Sequence, residues 1–192
     1  QVQQIVHDYL LNNPQILVQV SQKLQQQQMQ QMQQVQQNAQ KVIPDISAQL
    51  FSDKSSPIGG NVNGDVTMVE FFDYQCPHCK DMAAIVGDLT KQDGNLKIVY
   101  KELPIFGADS QFAAAAALAS MQQGKYDQFH NALMQAPAPL TSDVVMQVAQ
   151  ANGLNVVQLQ KDMNSDAVKQ ELKDNMQLAQ KLKLMGTPAF VI

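Results

Sequence analysis

Three features of the sequence predict an α/β (α+β) fold: one strand–helix–strand unit, a large helical insertion before the last strand, and an N-terminal α-helical hairpin in front. Residues 66–72 form a nearly continuous apolar run, as in a strand buried on both faces. Directly after it stand the only two cysteines of the chain, in Cys76-Pro77-His78-Cys79. Residues 108–185 then carry helical patterning almost throughout, until Gly186-Thr187-Pro188 opens a further strand.

The N-terminal segment differs in kind from the rest, with seventeen glutamines among the first forty positions. Val2, Ile5, Val6, Tyr9 and Leu10 recur at helical spacing, Asn12-Asn13-Pro14 breaks the run, and Pro14 suits the first position of a second helix. From Ile16 the apolar positions continue as Leu17, Val20, Leu24, Met32, Val35, Ala39 and Val42, near the spacing of a coiled-coil seam, with Gln28 where a seam residue is due. A helical hairpin cannot bury such a stripe on itself, and a second copy of the chain is the economical partner, so residues 1–42 are expected to form a homodimer. The other reading is a glutamine-rich linker. Pro44 is expected to interrupt the long helix, with a short helical turn over 46–51 and a domain boundary near residue 50.

After the apolar strand, Cys76 near the N-cap and Pro77 at the first helical position place Cys79 one turn on, where two sulfurs can bond with little backbone movement. The sulfur of Cys76 then faces unpaired N–H groups and the positive end of the helix dipole, which favour thiolate over thiol. His78 adds a donor or a positive charge. The helix presents Met82, Ala83, Val86 and Leu89 inward, Asp93-Gly94-Asn95 marks a turn, and Leu96, Ile98 and Tyr100 begin a second strand. Gly124 and Gly153 fit helix ends, Thr141 or Ser142 an N-cap, and the last helix runs from about Ser165 to Gly186 with Val168, Leu172, Met176, Ala179 and Leu182 inward.

Composition excludes several classes. A net charge of −4 with scattered lysines leaves nucleic acid without an electrostatic footprint. The most apolar stretch, 112–119, is far short of a membrane span. Two cysteines this close cannot staple a fold, so they are there to react. No cofactor is implied, and with only His7, His78 and His130 besides them a closed metal site is not expected.

The strand, then Phe71-Phe72-Asp73-Tyr74-Gln75, then Cys-Pro-His-Cys resembles the active site of the DsbA-like thiol:disulfide oxidoreductases, which have a thioredoxin fold with an inserted helical domain. Gly186-Thr187-Pro188-Ala189-Phe190 matches that family's loop, in which the proline is cis and lies against the disulfide. Residues 57–61, within a loop over 52–64, resemble its short extended entry segment. The resemblance implies a dimerisation segment over 1–50 and a redox domain over 51–192, with the insertion at about 108–185. It implies catalysis by Cys76 and Cys79, helped by Pro77, His78 and Glu70, with Thr187 and Pro188 holding substrate. It also implies cysteine-containing exported proteins as substrates, a membrane oxidase or reductase as redox partner, a periplasmic or otherwise extracytoplasmic location, and oxidase or isomerase activity. One more strand and a C-terminal helix belong to the family pattern, so a truncated C-terminus is expected.

Bland readings stand beside these. Glu70 is either an edge side chain in water or a buried carboxylate of raised pKa relaying a proton to Cys79. His7 and His130 read as surface or half-buried residues, Lys101 and Glu102 as solvated, and Met185 as packing, with the lining of a substrate groove as its other reading. A rival function is a structural or adhesion-type dimer whose redox domain is vestigial.

Overall fold

The computed structural model describes residues 2–192 and resolves into two units, one ending at Val42 and one spanning Ile43–Ile192. Helix α1 (Val2–Asn12) and helix α2 (Gln15–Phe51) meet at Asn13-Pro14, where the Asn13 amide donates to the Leu10 carbonyl at 3.3 Å. Within the first unit the apolar side chains predicted to form a stripe stand in solvent: Val2, Ile5, Val6, Tyr9, Leu17, Val20, Leu24 and Met32 are all at least half exposed.

Pro44 does not interrupt α2, contrary to the expectation from sequence. An internal proline costs a helix about 3 kcal/mol. Ile46 and Leu50, one turn apart and both buried, offset that at roughly 1.5–3 kcal/mol each, so the helix continues to Phe51.

The second unit is built on a four-stranded sheet in the order β1-β3-β2-β4. Strand β2 (Val66–Phe72) pairs in parallel with β3 (Leu96–Glu102) across α3 (Pro77–Gln92), the strand–helix–strand unit expected. Strands β1 (Ile58–Gly60) and β4 (Ala189–Val191) flank them, both antiparallel. Gly59 allows Tyr100 to cross β1, because a Cβ there would lie 2.7 Å from the Tyr100 ring.

The insertion comprises α4 (Ala108–Ser120), a short 3-10 turn (Met121–Gln123), α5 (Tyr126–Gln135), α6 (Ser142–Ala151), α7 (Val156–Met163) and α8 (Asp166–Leu182). Its punctuation follows the sequence: Thr141 caps α6 by accepting from Val144 N, Ser165 caps α8 by accepting from Val168 N, and Gly124 and Gly153 take positive φ at helix ends. Helix α8 ends at Leu182, four residues before the glycine expected to stop it. Lys183 turns left-handed at φ 57°, and the amides of Lys183 and Leu184 return to the carbonyls of Gln180 and Ala179, which satisfies the last turn without a glycine. Leu89 is exposed rather than inward. At 3.6 residues per turn Thr90, not Leu89, continues the line through Cys79 and Val86.

Candidate active site

Cys76 is the N-cap of α3, with φ −75° and ψ 117°, and Pro77 occupies the first turn, where a missing N–H costs nothing. Cys79 follows one turn on, fully buried. Both thiols are free. The sulfur of Cys76 donates to the Thr187 carbonyl at 3.3 Å, and the Thr187–Pro188 peptide is cis, so two motifs far apart in the chain meet at one sulfur. The Thr187 hydroxyl is buried without a protein hydrogen-bond partner. Pro77 and His78 are exposed at the mouth of the site. Burial pushes the Cys79 thiol up to about 12, which favours its protonated form.

Glu70 lies in mid-sheet, opposite Tyr100 on β3 and Phe190 on β4, two residues past Pro188. It is buried, Oε1 has no protein hydrogen-bond partner, and burial raises its carboxyl to about 7. Of its two readings, the side chain in water is therefore excluded.

The turn into α3 is fastened by residues that sequence reasoning left out. Cys76 N donates to Asp73 O at 3.1 Å, closing a four-residue turn. The Asp73 carboxylate accepts from the amides of Gln75, Ile105 and Phe106 and from the Ser110 hydroxyl. The Gln75 amide pairs both ways with the Leu140 main chain, at 3.0 and 3.1 Å. On the far side of the motif, Lys80 Nζ donates to the carbonyls of Leu133, Met134 and Ala136, capping the end of α5. The turn-forming pair Asp73 and Gln75, beside a motif at a helix start, was the available signal.

Bland readings also fail at Glu102, His130 and Lys101. Glu102 is fully buried, its Oε1 accepting from Tyr74 at 3.0 Å and Tyr126 at 2.8 Å, and burial drives its carboxyl well above the ordinary value. His130 is buried among Phe72, Tyr74, Tyr100 and Tyr126, and desolvation lowers it to about 3. Lys101 is fully buried on the opposite face of β3, 2.8 Å from Asp53 and 3.6 Å from Glu171. Burial alone would raise Asp53, but the Lys101 ammonium and Ser55 bring it down to about 2. The strand runs further into the core than its apolar residues advertise. Met185, read as packing, is two-thirds exposed beside the Thr187 loop, while His7 stands in solvent as expected.

Among the described residues no cluster of His, Cys, Asp and Glu could hold a metal, and no helix is long and apolar enough to cross a membrane.

The DSBA-like thioredoxin domain model matches residues 67–192, and the model of the copper resistance protein ScsC N-terminal domain matches residues 1–31. A thioredoxin-like oxidoreductase from Silicibacter pomeroyi DSS-3 superposes with a TM-score of 0.74 at 48% identity, covering 75% of this chain and 83% of that one. A periplasmic thioredoxin-like protein from Salmonella enterica serovar Typhimurium superposes with a TM-score of 0.71 at 31% identity, covering 77% and 83%. The probable disulfide bond formation protein D of Bacillus cereus is 26% identical over 157 residues, 75% of this chain and 73% of its own. With the strand-to-helix turn, the paired cysteines and the Thr187–Pro188 loop in the arrangement described, this chain belongs to the DSBA-like thioredoxin domain family of thiol-disulfide oxidoreductases.

Proposed function

We propose that the protein forms and isomerises disulfides in cysteine-containing exported proteins through Cys76 and Cys79, in the periplasm or another extracytoplasmic space. The observation that carries this reading is the meeting of Cys76 Sγ, at the head of α3, with the Thr187 carbonyl. The periplasmic placing is supported by the Salmonella relative's description.

In the oxidising direction a substrate thiolate attacks the sulfur of Cys76. The Cys76–Cys79 bond breaks, a mixed disulfide forms at Cys76, and Cys79 leaves with the electron pair and takes up a proton. A second substrate thiolate attacks the substrate sulfur of that mixed disulfide, releasing oxidised substrate and both thiols of the protein. Two electrons pass from substrate to protein, and a membrane oxidase removes them. Kept reduced by a reductase instead, Cys76 attacks a wrong substrate disulfide and the reverse steps shuffle it. Glu70, titrating near neutrality, is the group suited to exchange the proton of buried Cys79. His78 and Pro77 line the approach, and Thr187 and Pro188 receive the substrate backbone.

Residues 1–50 serve as the association segment and 51–192 as the redox domain. The exposed apolar residues of α1 and α2 support self-association, with a homodimer as the smallest closed assembly that covers them. The experiment is equilibration with glutathione buffers followed by acid trapping and mass spectrometry, with light scattering on the same sample. A glutathione adduct at Cys76, lost in Cys76→Ala, and a mass above one chain are expected. Exchange that persists in Cys76→Ala refutes the chemistry, and a monomer refutes the association.

A further inference from the structure

Tyr74 sits inside the turn that delivers Cys76 to α3, and its phenol enters a buried cluster that disulfide exchange does not use. Its oxygen lies 3.0 Å from Glu102 Oε1 and 3.0 Å from His130 Nδ1, while the Tyr126 oxygen lies 2.8 Å from the same Glu102 oxygen. Each phenol has one hydrogen. If both phenols donate to Oε1, the Tyr74 oxygen has only lone pairs left for His130, so the imidazole must carry its proton on Nδ1. The chain of donors then has a direction, from His130 Nδ1–H to Tyr74 Oη–H to Glu102 Oε1, with Tyr126 as the second donor. A neutral acid with its hydrogen on Oε2 leaves Oε1 as the carbonyl oxygen that accepts both.

Three chain segments meet in this cluster: the end of β3, the turn before α3, and α5 of the helical insertion. The other side chains of the turn are already anchored, Asp73 to the loop after β3 and Gln75 to Leu140. Tyr74 is the anchor that joins the turn to α5. Forming or breaking the Cys76–Cys79 bond moves the sulfur of Cys76, so an anchor two residues away acts unequally on the two redox states.

We propose that Glu102 and His130 are positioning residues for thiol exchange: through Tyr74 they lock the turn that presents Cys76, and so let the helical insertion set how readily the disulfide is reduced. This rests on Cys76 being the reacting sulfur, as proposed above.

The test is the equilibrium constant of the full chain with reduced and oxidised glutathione at neutral pH, for wild type, Glu102→Gln, Glu102→Leu and Tyr74→Phe. Gln keeps an oxygen acceptor for both phenols and is expected to stay within about twofold of wild type, whereas Leu and Phe shift the constant by about fivefold or more. Nitrogen NMR of the imidazole is expected to show the Nδ1–H tautomer in wild type and Glu102→Gln, and its loss in Tyr74→Phe. Should Glu102→Leu fail to fold, Tyr74→Phe removes one hydroxyl and still decides. A folded Tyr74→Phe with an unchanged equilibrium constant overturns the positioning role while leaving Cys76 as the site. A wild-type chain that forms no adduct at Cys76 overturns both.

Discussion

Glu70 and Glu102 are two carboxylates buried in adjacent strands of one sheet, and they are treated in opposite ways. Glu102 has two phenol donors on Oε1 and an aromatic surround that hold it as a fixed part of the packing, although its Oε2, like Glu70 Oε1, is buried without a partner. Glu70 has no such partner on Oε1, and burial alone raises it to about 7. Two donors on one oxygen fix a geometry; a buried carboxylate oxygen that meets no donor stores a cost that a proton can relieve.

The largest expected effect breaks this comparison by replacing each acid with leucine. Glu102→Leu strands the buried Tyr126 phenol and leaves Tyr74 with His130 alone, at roughly 1–3 kcal/mol for each lost bond, and should lower stability by about 3 kcal/mol. Glu70→Leu removes an unpartnered buried charge and should raise stability by about 2 kcal/mol at mildly alkaline pH, while slowing thiol exchange. Urea denaturation of the two variants checks the opposite signs.

Next is pH. Glu70 is raised from 4.5 to about 7, so between those values the folded chain holds a proton that the unfolded chain has released. The stability it contributes is full below about 4.5 and is lost as pH climbs through 7, a difference of about 3 kcal/mol. His130 runs the other way. It is lowered from 6.5 to about 3, so the unfolded chain binds the extra proton, and stability is full above 6.5 and lost as pH falls toward 3. Glu70→Gln should flatten the first slope and leave the second, as read from denaturation midpoints across the range.

The smallest effect sharpens the comparison at a site away from both acids. Lys80 donates to three carbonyls at the end of α5 while burial lowers its pKa, and Lys80→Met should cost about 1–2 kcal/mol with no new slope on the acid side of neutrality. A slope appearing in that variant would mean that Lys80 holds one of the acids in place.

The active-site turn was legible in the sequence because its signals are local. An apolar strand, a proline at the first helical position and cysteines one turn apart place Cys76 and Cys79 without reference to the rest of the chain. The same holds for Thr141, Ser165, Gly124 and Gly153, each marking a helix end by its own chemistry. Lys101 and Glu102 were misread because a charged pair at a strand end looks solvated. The period-2 alternation of β3 held the correction: Leu96, Ile98, Tyr100 and Glu102 share one face, so the acid follows its apolar neighbours inward. His130 gave no such signal, since its burial depends on Phe72, Tyr74 and Tyr100 arriving from other segments.

By itself, then, the sequence determined the turn into α3, the capped ends of several helices and which two sulfurs stand one helical turn apart, because capping, turn chemistry and alternation act over a few residues. Tertiary structure alone decided that Glu70 is enclosed with Oε1 bare, that Glu102 is enclosed with two phenols on Oε1, and that the Thr187 carbonyl is the group facing Cys76 Sγ. Those facts arise where segments far apart in the chain are pressed together, and the cost of a charge or a bare polar atom is set by what surrounds it rather than by its own identity.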